Sequence, residues 1–160
     1  MSTHTRLLSA QEQTDVRAIL HSAPIAYLAV ADTHPYVVPI NFVFDAAEEW
    51  GRIFFHSGEG RKTKALAADP HVCLLVPTEA VFDRGPTPCS DGFAYRSVLI
   101  EGKAVPLEAE GQREKALRMI VAKYDPAATH QPLQTAELAR TLVYAIDIRS
   151  VSYKQRRKRS

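Results

Sequence analysis

The sequence predicts a mainly β domain, with six to seven antiparallel strands in a closed or partly closed barrel flanked by helices. Three observations carry this. β-Branched and aromatic residues gather in short runs bounded by turn residues, as at Tyr36–Phe44 and His71–Val76. Helical spacing of apolar residues is confined to a leading segment, one short segment mid-chain and a stretch between Glu108 and Arg140. The 160 residues hold no repeat and no internal linker, as expected for one domain, 1–160, around one apolar core.

The elements follow in order. Ser9-Ala10-Gln11-Glu12 has the form of a capping box and opens a helix whose apolar face carries Val16, Ile19 and Leu20. The period then shortens. Ile25–Ala31 and Tyr36–Phe44 read as a hairpin joined by Asp32-Thr33-His34-Pro35, and a second turn, Asp45–Gly51, leads to a strand at Arg52–His56. Trp50, in that turn, is expected to pack. A short helix is expected at Thr63–Ala68 and a fourth strand at His71–Val76, where Cys73 reads as a small buried hydrophobe. Pro77–Asp91 holds three prolines and one glycine and is expected to be an irregular excursion. A long strand, Phe93–Val105, is interrupted at Gly102 by an expected bulge. An amphipathic helix, Glu108–Tyr124, and a short one, Leu133–Arg140, precede the last strands, Leu142–Ile148 and Val151–Tyr153.

Composition narrows the function classes. With 46% hydrophobic and 24% charged residues the chain is an ordinary globular protein. It has no apolar run of the roughly 18–20 residues that span a bilayer. Its polar start, Met1–Arg6, does not resemble a signal peptide, so a cytoplasmic location and no membrane partner are expected. Five of the six residues 154–159 are basic; the net charge of +2 less those five leaves −3 for the remainder. That tail, 154–160, reads as a solvated, flexible end, and nucleic-acid binding as an accessory at most. The two cysteines lack CxxC spacing, and the scattered histidines form no ligand pattern, so no metal site is expected.

The most informative stretch is Ile53-Phe54-Phe55-His56-Ser57-Gly58-Glu59-Gly60-Arg61-Lys62-Thr63-Lys64. An apolar strand runs into a glycine-containing loop, and the loop opens a helix that begins with positive residues. Cations in a first helical turn oppose the helix dipole, and a bound anion removes the conflict. Backbone N–H groups, Ser57, Arg61 and Lys62 would then converge on a phosphate; the bland alternative is a basic helix end satisfied by Glu59 and Asp69. The loop is not a Walker sequence, and no GxGxxG fingerprint exists for a nicotinamide donor. His56, at the end of the strand, is the candidate for proton transfer, or simply for holding a ligand. Asn41 is a polar residue in an apolar strand and calls for a partner. Tyr95 and Arg96 read equally well as surface residues.

Four segments in this order, Pro35-Tyr36-Val37-Val38-Pro39-Ile40-Asn41-Phe42, Ile53–Ser57, Gly60-Arg61-Lys62 and Tyr95–Ala104, resemble the pyridoxamine-5′-phosphate-oxidase-like split-barrel flavoproteins. Within them the likeness is greatest to the nitroimidazole-resistance (Nim-like) proteins, and it covers roughly Arg6 to Lys154. The resemblance implies a split β-barrel of the FMN-binding type and a homodimer with flavin at the interface. It implies ring contacts from Val38, Pro39, Ile40 and Asn41, ring or ribityl contacts from His56 and Ser57, and phosphate contacts from Arg61 and Lys62. It further implies contacts from Ser97 and Val98 of a second subunit, and an approach of Lys154 to the flavin. The expected activity is reduction of small oxidised organic molecules such as nitro compounds or quinones. The strand starts with Tyr36-Val37 where true pyridoxamine-phosphate oxidases have a basic residue, which speaks against that substrate. A flavin- or haem-binding protein without turnover, and a deazaflavin-dependent reductase, are the alternatives on the same barrel.

Overall fold

A computed structural model describes residues 7–46 and 50–159. The polar start Met1–Arg6, the centre of the turn at 47–49 and Ser160 lie outside the described residues.

Helix α1, Ala10–Ser22, begins where Ser9 predicts. The Ser9 hydroxyl accepts the Glu12 amide at 3.3 Å, and Glu12 accepts the Ser9 amide at 2.8 Å; such a cap contributes about 1 kcal/mol. Val16, Ile19 and Leu20, spaced for one helical face, are buried in the main core. Strands β1 (Ala26–Val30) and β2 (Tyr36–Ile40) form the expected hairpin. The expected single strand Tyr36–Phe44 instead breaks at Asn41-Phe42, and β3 (Val43–Asp45) pairs with β4 (Arg52–Ser57). The turn between β3 and β4 requires Gly51, which has φ +69°; a Cβ there would lie 2.0 Å from the Asp45 carbonyl oxygen.

Helix α2, Arg61–Ala68, leads to β5 (His71–Pro77) and then to a three-residue strand, β6 (Val81–Asp83), inside the proline-rich excursion. Strand β7, Gly92–Pro106, carries the bulge at Glu101/Gly102; a Cβ on Gly102 would lie 2.4 Å from the Asp147 carbonyl oxygen. Helices α3 (Glu110–Tyr124) and α4 (Thr135–Arg140) precede β8, Leu142–Arg156, which is continuous where two strands were expected.

All pairings are antiparallel, in the order β2-β1-β5-β7-β8-β4-β3, with β6 paired to the first residues of β7, Gly92 to Ala94. The count is therefore eight strands, one above the expected range, because β6 gains its pairing only from β7. The sheet curls around the main core without closing: β2 and β3 are its two ends. This is a split barrel. Residues Ile53–Phe55 of β4 and Val143–Ile146 of β8 are buried on both faces. Ile53, Phe55, Tyr144 and Ile146 face the main core, while Phe54, Val143 and Ala145 pack under Ala116 and Ile120 of α3. That double burial explains their unbroken apolar sequence. The Tyr124 hydroxyl ties α3 to the gap between β2 and β3, accepting the Phe42 amide at 2.9 Å and lying 2.8 Å from the Pro24 carbonyl oxygen.

The basic tail corrects an expectation. Residues 154–156 extend β8 rather than fraying, and Arg159 pairs with Asp83, a carboxylate only 2% exposed, at 3.2 Å. The Arg159 amide donates to the same carboxylate at 3.1 Å, and its guanidinium also meets the Ser90 carbonyl. Arg156 lies against Gly92, where a side chain would collide with its guanidinium. The tail through Arg159 is thus a clasp over β6 and the loop that follows.

Candidate functional site

Strand β4 delivers His56 and Ser57 to the rim of the barrel, where His56 is solvent-facing and Ser57 half-buried. Helix α2 starts at Arg61, two residues earlier than expected, so Arg61 and Lys62 occupy its first turn and no acidic residue joins them there. Gly60 has no side chain to cap the helix, and open space surrounds both Gly58 and Gly60. Within the loop, the Thr63 hydroxyl accepts the Gly60 amide at 3.0 Å, and Ser57 donates to the Gly58 carbonyl at 2.8 Å.

The two cations differ in their surroundings. Arg61 donates from Nε to Asp32 Oδ2 at 2.7 Å, and its guanidinium lies 4.1 Å from the ring centre of Tyr36. Lys62 is half-buried, with Nζ 5.6 Å from the ring centre of Phe55, and among the described residues it has no carboxylate or hydrogen-bond acceptor. Burial pulls the Lys62 ammonium below the ordinary lysine value. His56 is pushed the same way, first by loss of solvent on its protein side and then by the charge of Lys62, so the neutral imidazole is favoured. Asp32 is held below the usual carboxylate range by its hydrogen bond to Arg61. Beside Arg61 opens a cleft of about 420 Å³, bordered also by Asp32, Thr33, Lys64 and Asp69. A desolvated ammonium, unpaired among the described residues, next to a helix start without a side-chain cap fits a phosphate group; of the alternative, a basic helix end balanced by Glu59 and Asp69, Asp69 is paired with His71 instead, and Arg61 with Asp32.

The other expected residues fall as follows. Tyr36, under Arg61, begins β2, so Val38, Pro39 and Ile40 run away from the cationic end. Val38 is half-buried, Pro39 exposed and Ile40 buried in the core. Asn41 sits exposed at the break between β2 and β3, so it has no buried polar group to satisfy, contrary to expectation. Ser97 is half-buried on β7, but the Val98 side chain is fully buried in the core, which leaves only its backbone for ligand contact. Lys154 lies opposite Ser97 on β8, with Nζ 5.8 Å from the Tyr95 ring centre. Within one chain these two groups are not brought together. Ser57 pairs with Leu142 at the start of β8 and Ser97 with Lys154 near its end, up to about 40 Å along the strand at ~3.3 Å per residue. The sequence reasoning treated Asp32 as turn chemistry and Tyr36 as strand; neither shows any local signal of its contact with Arg61.

A curled antiparallel sheet with a cationic helix start at its rim defines the split-barrel class. A sequence profile described as pyridoxamine 5′-phosphate oxidase matches residues 12–155, and the chain belongs to that family. Among solved structures it is similar to a candidate 5-nitroimidazole antibiotic resistance protein from Bacteroides thetaiotaomicron (TM-score 0.72, 20% identity, 91% of this chain and 85% of that one). It is similar to the flavocytochrome Anf3 from Azotobacter vinelandii (TM-score 0.80, 25% identity, 98% and 75%) and to an FAD-binding protein from Mesorhizobium loti (TM-score 0.64, 26% identity, 95% and 98%). No curated protein sequence matches it. Among the described residues no helix is long and apolar enough to cross a membrane.

Proposed function

We propose that this chain is a flavoprotein that holds FMN with the phosphate at the start of α2, and that it reduces small oxidised organic molecules such as nitro compounds or quinones. The observation that carries this is Lys62: a half-buried ammonium with no acceptor among the described residues, beside a helix start without a side-chain cap and the exposed edge of Arg61. FMN, when bound, supplies two-electron redox chemistry. The chain's own residues bind and orient it. Arg61, Lys62 and Ser57 would hold the phosphate, the segment Val38–Asn41 would line the ring, and neutral His56 would hold or move a proton beside it. The similar FAD-binding protein supports flavin as the cofactor class, and the family, described as pyridoxamine 5′-phosphate oxidase, supports the mononucleotide.

The active form is a homodimer. Tyr27 pairs with Pro39 on one side and Leu75 on the other, and Leu75 pairs with Leu99, placing one apolar row across β2, β1, β5 and β7. In the single chain Val37 is 60% exposed and Tyr27 44%, more than a monomer gains from leaving wet. The separation of Ser97 and Lys154 from α2 within one chain also favours a site completed by a second copy, to which these two residues belong.

The similarity to a flavocytochrome favours a second reading, a flavin- and haem-binding protein without turnover of its own. The absorption spectrum of the purified protein, with FMN added back, separates them. Flavin bands that sharpen on binding support the reductase reading; a Soret band, or a protein that FMN cannot reconstitute, contradicts it.

A further inference from the structure

Asp32 sits on the turn between β1 and β2, remote in sequence from the cations of α2, and both of its carboxylate oxygens are engaged. Oδ1 accepts the Thr33 amide at 2.7 Å, and Oδ2 accepts Arg61 Nε at 2.7 Å. The carboxylate is therefore fixed by its own backbone before it meets the arginine. The Tyr36 ring, 4.1 Å away, supports the guanidinium face. Edge and face are thus both held, and neither terminal Nη of Arg61 has an acceptor among the described residues. With its arginine side chain 54% exposed, an ion pair of this kind adds little to stability.

We propose that Asp32 is a positioning residue: it holds Arg61 with its two Nη groups presented to the phosphate of the flavin, and so gives the site its preference for a phosphorylated flavin over an unphosphorylated one. The inference rests on the phosphate placement proposed above. A guanidinium binds phosphate best as a planar fork, and an arginine that is already oriented loses little side-chain freedom on binding. A carboxylate so near a phosphate also repels it. That repulsion is offset because Arg61, 2.7 Å away, already neutralises the Asp32 charge, whereas an unpinned arginine must freeze its whole stem.

Fluorescence titration of the full chain with FMN and with riboflavin tests this. Asp32→Asn is expected to weaken FMN about fivefold, the scale of ordering one long side chain, and to leave riboflavin unchanged. Tyr36→Leu is expected to shift the same ratio in the same direction by less. In an Arg61→Ala background, Asp32→Asn is expected to do nothing further to the ratio, which a merely structural role would not reproduce. If the wild-type chain prefers FMN but Asp32→Asn keeps that preference, or tightens FMN, the positioning role is overturned and the phosphate site stands. If the wild-type chain does not discriminate FMN from riboflavin, the phosphate placement falls and the role of Asp32 falls with it.

Discussion

Two arginine–carboxylate pairs, Asp32–Arg61 and Asp83–Arg159, have similar geometry and opposite meanings. At the start of α2 the carboxylate meets only the Nε of its arginine, whose side chain is 54% exposed, and among the described residues Lys62 beside it has no partner. At the end of the chain the carboxylate is 2% exposed, Oδ1 accepts the Arg159 amide, Oδ2 lies 3.2 Å from the Arg159 Nε as an ion pair without a hydrogen bond, and the same guanidinium reaches the Ser90 carbonyl. The first region leaves positive charge available to a ligand. The second spends its charge on the fold.

Breaking each region should have a different consequence. The largest effect is expected from Arg61→Ala with Lys62→Ala. Loss of two charge-assisted contacts should cost about 3 kcal/mol of FMN binding, on the order of 100-fold in affinity by equilibrium titration, with little change in riboflavin affinity. Arg159→Ala should leave FMN affinity alone. It strands a buried carboxylate, so unfolding free energy in denaturant should fall by about 2 kcal/mol, less than for a fully buried pair because the guanidinium is 40% exposed. Limited proteolysis should then cut within 78–91 faster than in the wild type. Failure of either half of this contrast would mean that the two basic segments have been assigned the wrong roles.

A smaller effect sharpens the contrast through pH. Lys123, in the last turn of α3, is also an unpaired lysine over an aromatic ring, 3.8 Å from the centre of Phe42, and burial lowers it to about 8. Its folded value lies below its unfolded value of 10.5. Between pH 8 and 10.5 the unfolded chain therefore binds more protons, and stability should rise with pH across that window, an increase that Lys123→Met removes. Lys62 is depressed in the same direction, but in the proposed site its charge would serve the phosphate. FMN affinity should accordingly fall, not rise, as pH climbs through the lowered Lys62 value. The smallest effect is expected for Asp32→Asn on stability, where the unfolding midpoint should not move even as FMN discrimination changes.

Much of this was legible because it is local. The capping box at Ser9, the turn at Asp32–Pro35, the bulge at Gly102 and the strand–loop–helix from Ile53 to Ala68 each depend on a few neighbouring residues. What was not legible depends on distant pairing. β6 is three residues long and exists because β7 pairs with it, and Asp83 is buried because Arg159, 76 positions away, closes over it. Tyr36 and Asp32 read as strand and turn because their partner lies on α2. Asn41 misled for a related reason: the apolar run around it spans a break between two strands, so a position that looked interior is a surface corner. The cationic helix start was found because charge against a helix dipole is itself a local conflict.

The most direct test is a paired titration of the wild-type chain, with sedimentation of the same samples. FMN should bind at least tenfold more tightly than riboflavin, a difference of about 1.4 kcal/mol or more attributable to the phosphate, and the complex should sediment as a dimer. Equal affinity for the two flavins, or FMN bound by a monomer, would contradict the account.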